Sequence, residues 1–252
     1  MLTDVQKHQF DTLGFVVLRG FLPPDEMRLY TAAFDETLGA MTDPERWANE
    51  SGNVGASRFF EQNPQVYHRL LDDDKILAVI QDLLGLDFVF TVSEGARRYA
   101  DTHWHHDDVA PEGHLHVKMV FYLDAMDADP GCLCLLPGSH HADYRKRMER
   151  YGPEILTADR DVPGTYAIAS IPGDVIVFDV KTYHGAFTGG VRRRAIYMNF
   201  LAGPRTMLGE AHLEFLYRRD GGYYTPALFE NAPPKRMRML RFLKERCYDK
   251  AS

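Results

Sequence analysis

"RRRAIYMNFLAG", residues 192–203, changes character with a period of two. In an extended strand successive side chains point to opposite faces of the sheet. One set here is Arg193, Ala195, Tyr197 and Asn199, polar enough to line a wet cavity. The other is Arg194, Ile196, Met198 and Phe200, apolar after its first member, as a sheet surface covered by helices requires. The stretch therefore reads as a strand between a helix-covered face and a cavity. Three adjacent arginines cannot share one side of it, so their roles must differ.

Similar short runs surround it. "DFVFTVS" (87–93), "LHVKMVFYLDA" (115–125), "GCLCLLPGSH" (131–140), "GTYAIAS" (164–170) and "GDVIVFD" (173–179) are β-rich and bounded by Gly, Pro and Asp. Upstream, "GFVVLRG" (14–20) reads as a strand and "LPPDEMRLYTAAFDETLGA" (22–40) as a helix with a Met27, Tyr30, Leu38 stripe. Residues 41–62 read as an irregular, mobile loop, and 63–85 as one or two helices ending at Gly85. Helices first and strands afterwards, without βαβ alternation, predict a mainly β fold with flanking helices, a double-sheet jelly-roll barrel able to hold a ligand. One domain is the simplest partition: a helical part over 1–85, the barrel core over about 86–202 and a C-terminal extension over 203–252.

Bulk properties narrow the function. The 252 residues are 45% hydrophobic and 26% charged, with a net charge of −7. That balance supports a sizeable core and predicts no nucleic-acid partner, which would need a basic surface. The basic run at 235–245 has the spacing of an amphipathic helix with a solvated face. No stretch approaches the ~20 apolar residues of a membrane span, and the polar start is no secretory signal. Cys132, Cys134 and Cys247 form neither a disulfide framework nor a zinc pattern, so a reducing, cytoplasmic setting is the default.

The chemistry concentrates in "DTHWHHDDVAP", residues 101–111. Residues i and i+2 of a strand share a face, so either His103, His105 and Asp107 or His106 and Asp108 can reach one ion. Two imidazoles with one carboxylate suit non-haem Fe(II) and leave coordination positions open. A further ligand must come from elsewhere, and His184 in "GDVIVFDVKTYHGAFTGG" is the best candidate: it follows a β run, and Gly185 permits a tight turn after it. His8 and His68 read as surface residues, His114 and His116 flank a strand start, and His212 lies in a charged tail.

Four motifs occur in order: "WHHD" (104–107), "GCLCLLPGSH" (131–140), "GDVIVFD…YHG" (173–185) and "RRRA" (192–195). With the opening "FDTLGFVVLRGFLPPDEM", they make the chain resemble the phytanoyl-CoA dioxygenase family over roughly residues 5–202. The resemblance implies a double-stranded β-helix (a jelly-roll, cupin-like barrel) and a non-haem Fe(II)- and 2-oxoglutarate-dependent dioxygenase that hydroxylates or otherwise oxidises a small molecule with O₂. Its W-H-x-D pattern implies His105 and Asp107 as iron ligands with His184 as the third. It leaves His106 and Asp108 on the opposite face and His103 beside the ligands or facing substrate. Halogenating relatives lack the carboxylate, so Asp107 implies oxygenation.

The cosubstrate needs a cation for its far carboxylate, and an arginine fork suits it. Arg193 is the choice on alternation, and the resemblance agrees. Lys118, on one side of its strand with His116, Val120 and Tyr122, is a second candidate for a carboxylate. Many relatives read H-G-S after the distal histidine; here the segment is "HGAF", and Thr188 is the candidate substitute. "PGSH" (137–140) reads as a turn. Substrate-facing candidates are Arg97, Arg98, Tyr99, His103 and Trp104, with Arg58, Phe59 and Phe60; the arginines suit an anionic group. The rival reading is a catalytically inactive cupin-like metal- or ligand-binding protein. A cupin would follow H-x-H with Glu and a later P-x-G, and an inactive relative would have lost a ligand or the arginine.

Overall fold

The computed structural model describes residues 1–45, 53–107, 114–128, 131–150, 162–187, 192–204, 206–219 and 225–245. Thr3 and Gln6 cap the start of α1 (Asp4–Leu13) reciprocally. β1 (Phe15–Leu18) follows, and Pro24 opens α2 (Pro24–Ala40), whose Met27, Tyr30 and Leu38 are buried as the stripe predicts.

The stretch expected to be a loop over 41–62 is more ordered than its composition suggests. It contains β2 (Val54–Ser57) and a 3₁₀ turn at Phe60–Gln62, while 46–52 lie outside the described residues. Phe59 and Phe60 are fully buried, so they fill the core and do not face a substrate. Phe59 lies over Gly95, where an added Cβ would come within 2.6 Å of its ring, so the glycine makes room for the aromatic. α3 (Pro64–Leu71) and α4 (Asp74–Leu84) follow; the Asp73 side chain caps α4, and Gly85 ends it.

Two antiparallel sheets follow. The remaining strands are β3 (Val89–Arg98), β4 (Thr102–His105), β5 (His116–Tyr122), β6 (Leu133–Leu135), β7 (Tyr166–Ile168), β8 (Val175–Asp179), β9 (His184–Ala186) and β10 (Arg193–Leu201). The large sheet has the order β1-β8-β5-β10-β3-β2 and the small one β4-β9-β6-β7. This is the double-stranded β-helix arrangement, and the sheets do not close into a continuous hydrogen-bonded barrel.

The alternation of β10 divides the two cores. Ile196, Met198 and Phe200 join Phe34, Phe59, Tyr67 and Phe90 in the larger core, between the large sheet and the helices. Ala195 and Tyr197 face the smaller core between the sheets, with Trp104, Tyr122, Leu135 and Phe178. Arg194 begins the helix-side row and is kept there by Asp124 (2.7 Å) and by Asp35 of α2 (2.9 Å).

α5 (Ala142–Arg150) follows β6, and α6 (Met207–Arg219), α7 (Pro226–Phe229) and α8 (Pro234–Leu243) end the described chain. The basic run forms the expected amphipathic helix, with Arg238 and Arg241 exposed and Met239 and Leu240 buried, but one of its arginines turns inward. Arg236 is buried, pairs with Asp72 at 2.8 Å and donates to His68 Nδ1 at 2.6 Å. His68 is therefore an interior residue, not a surface one. Burial and the adjacent guanidinium depress its pKa to about 4, which keeps the ring neutral. Among the described residues, no helix is long and apolar enough to cross a membrane.

Candidate active site

β4 and β9 lie side by side in the small sheet, with His105 opposite His184. The rings are 4.2 Å apart between centroids. Each is held from behind in the same way: His105 Nδ1 contacts the His103 carbonyl and His184 Nδ1 the Thr182 carbonyl, both at 2.8 Å. A carbonyl only accepts, so each Nδ1 carries the proton and each Nε2 presents a lone pair to the space between the rings. Asp107 follows β4, its backbone N–H tied to the Val180 carbonyl at 3.0 Å. Its Oδ1 stands 3.5 Å from His105 Nε2 and 3.7 Å from His184 Nε2. Among the described residues these three form the one cluster with metal-ligand geometry, their ligand atoms within 4.8 Å of one another. Two tautomer-fixed imidazoles and a carboxylate fit a divalent transition metal.

The electrostatics agree with that donor set. Burial opposes ionisation of Asp107, but the Lys118 ammonium, at 2.5 Å from Oδ2, and the neighbouring imidazoles outweigh it and hold the carboxyl well below its usual range. Burial pushes His184 down to about 4, against the pull of Asp107, so this ring is neutral and able to ligate. His105 is less confined: burial lowers it, but Asp107 and the His103 carbonyl more than compensate and its pKa is raised. Gly185 is needed for close approach rather than for a turn, because a Cβ there would lie 2.7 Å from the Thr102 carbonyl across the strand pair.

A cleft between the sheets opens onto this cluster. The large sheet contributes Glu94, Arg98, Lys118, Val120, Tyr122, Phe178, Arg193 and Tyr197; Thr102, Leu133 and Ala186 face them from the small sheet. Arg193 is buried and donates to the carbonyls of Gly131 (3.0 Å) and Ala100 (2.5 Å). Those two bonds fix the guanidinium plane and, among the described residues, leave three of its five N–H groups for a ligand.

Several candidates lie elsewhere. Arg97 sits opposite Arg194 on β10 and so shares its helix-side face; its neighbour Arg98, opposite Arg193, is the one in the cleft. Trp104 is buried against Phe187, with ring centroids 5.0 Å apart, and packs in the core instead of lining the cleft. The exposed His103 contributes its carbonyl to His105, and its side chain is outside the cleft lining. The cause is a register shift between Thr102 and His105, which puts Thr102 and not His103 on the ligand side. His106 stands against Tyr183, outside the metal cluster. Asp108 and Thr188 lie outside the described residues. Glu94 and Tyr197 were not singled out as site residues, although the two-residue period places Tyr197 beside Arg193 and Glu94 beside Arg98.

A family profile described as phytanoyl-CoA dioxygenase (PhyH) matches residues 10–195, well over half of the chain. The chain belongs to the phytanoyl-CoA dioxygenase family. It is an Fe(II)- and 2-oxoglutarate-dependent dioxygenase, as the motifs imply. A search of curated proteins gave no match. Among solved structures, HygX from Streptomyces hygroscopicus, with nickel and 2-oxoglutarate bound, is similar over 81% of this chain and 88% of its own, at 23% identity and a TM-score of 0.67. AviO1 from Streptomyces viridochromogenes Tue57 is similar over 82% and 98%, at 22% identity and a TM-score of 0.61. EctD from S. alaskensis, with 2-oxoglutarate and 5-hydroxyectoine, is similar over 80% and 76%, at 20% identity and a TM-score of 0.59. At these identities the likeness is one of fold.

Proposed function

We propose that His105, Asp107 and His184 hold the catalytic Fe(II), that Arg193 receives the far carboxylate of 2-oxoglutarate, and that the product is a hydroxylated small molecule. The observation that carries this reading is the convergence of both Nε2 atoms on Asp107 Oδ1 at the floor of a cleft that also holds Arg193. When bound, Fe(II) and 2-oxoglutarate use O₂ to give succinate and CO₂, and the second oxygen atom enters a substrate C–H bond.

The chain's part is placement. His103 and Thr182 carbonyls keep each Nε2 unprotonated for the metal. Arg193, anchored by two carbonyls, has its remaining donors fixed in advance for a carboxylate. Val120, Leu133, Phe178 and Ala186 form the apolar walls that exclude water from the reacting groups.

Glu94 and Arg98 give the cleft one acid and one further base, so the reading favours a polar, charge-bearing substrate over a lipid. HygX has been solved with hygromycin B and EctD with 5-hydroxyectoine, which supports a small soluble molecule as the class. Cys132 and Cys134 are buried thiols, which fits a cytoplasmic setting. The test is anaerobic loading with Fe(II) and 2-oxoglutarate followed by O₂. Succinate formation stimulated by a polar metabolite is the expected result. Binding without succinate across a broad substrate panel would replace the enzyme with the inactive cupin-like reading.

A further inference from the structure

The two oxygens of Asp107 have different neighbours. Oδ1 faces the histidine pair, whereas Oδ2 meets the Lys118 ammonium at 2.5 Å. Lys118 stands mid-strand on β5, its backbone held between Phe178 of β8 and Asn199 of β10. Its side chain is mostly buried, and its ammonium lies 5.6 Å from the Tyr197 ring centroid. A charge-assisted contact this short, from a strand paired on both edges, fixes the rotation of the carboxylate.

We infer that Lys118 is a positioning residue that holds Asp107 to ligation through one oxygen. The inference rests on the metal reading proposed above. A carboxylate with both oxygens free can take a divalent ion through one or both of them. Two-oxygen ligation would occupy a position that this donor set otherwise leaves to cosubstrate and O₂. The ammonium prevents it by engaging Oδ2. It also places a positive charge beside the ion, so its service lies in geometry and not in affinity. This differs from a cosubstrate role for Lys118, and the spectrum of the bound metal separates the two.

The probe is Co(II) alone, then Co(II) with 2-oxoglutarate, added to wild type, Lys118→Met, Lys118→Gln and Lys118→Arg, each checked for fold by circular dichroism. Wild type and Lys118→Arg should share one visible Co(II) spectrum, with Asp107 bound through a single oxygen in crystals. Lys118→Met and Lys118→Gln should bind Co(II) at least as tightly, show an altered spectrum and two-oxygen ligation, and raise the 2-oxoglutarate dissociation constant about 10-fold. An unchanged Co(II) spectrum in the neutral variants overturns the inference: with weaker 2-oxoglutarate binding Lys118 is a cosubstrate anchor, and without it the lysine is only structural. A wild-type protein that takes up no Co(II) overturns the metal reading itself, whatever the variants do.

Discussion

His105 and His184 are directly opposed across two antiparallel strands, each with its Nδ1 on the carbonyl two residues earlier in the chain. The same local device, repeated on both strands, aims two lone pairs at one point. Asp107 completes the set only because its backbone is tied to Val180, at the approach to the strand that carries His184.

From that geometry, His105→Ala, Asp107→Ala and His184→Ala should each weaken Fe(II) or Co(II) binding at least about 100-fold, beyond what loss of an outer partner costs. His106→Ala should stay within about 3-fold, since its ring packs against Tyr183. Anaerobic calorimetry on the purified variants decides it. Metal loss in His106→Ala with retention in His105→Ala would reverse the strand's register.

Arg193 and Arg194 should separate cosubstrate binding from stability. Removing one partner of a shielded bidentate pair costs roughly 2 to 4 kcal/mol, so Arg193→Ala should raise the 2-oxoglutarate constant about 30- to 1000-fold with iron binding intact. Arg194→Ala should change that constant only a few-fold. It should instead lower the melting temperature, because Asp124 and Asp35 lose their partner at a cost of about 1 to 3 kcal/mol, discounted for the exposure of Asp35. A large cosubstrate effect at Arg194 would contradict the observed facing of β10.

Glu61 predicts a pH-dependent stability unrelated to the site. Its carboxyl is buried, Oε1 has no hydrogen-bond partner among the described residues, and burial raises the pKa to about 7. The folded form therefore favours the proton, so this contribution to stability is full below about 4.5 and is lost as pH rises through about 7. Glu61→Gln should match wild type near pH 4 and exceed it by about 3 kcal/mol at pH 8. Urea denaturation at the two pH values tests this; an equal difference at both would refute it.

If Asp107 ligates the metal as proposed, the donor set has no vacancy for halide. Turnover in excess chloride should give only oxygenated product by mass spectrometry, and a chlorinated product would overturn the assignment of Asp107.

What the sequence revealed and what it hid have a common cause. β10 was readable because each face of the strand has one consistent environment, helix side or cleft, and the period of two transmits it. The clustering of His105, Asp107 and His184 was readable because His105 and Asp107 are close in the chain and belong to a motif. His103 was misplaced because the shift between Thr102 and His105 breaks the period, and no residue type there announces it. Arg97 and Arg98 could not be told apart without the pairing of β3 with β10, which is long-range information. The burial of His68 depends on Arg236, 168 residues away, and an amphipathic pattern cannot show a partner at that distance.

That last contact bears on how the protein can be trimmed. The family profile stops at residue 195, inside β10, yet the helix-side core includes Leu213, Leu216, Leu228, Met239 and Leu240. Arg236 fastens this C-terminal segment to Asp72 of the N-terminal half. A version cut at the homology boundary would remove most of β10 and leave Asp72, His68 and an apolar wall facing water. For expression or transplantation, a cut should therefore fall no earlier than the end of α8, because helices beyond the family match complete the helix-side core.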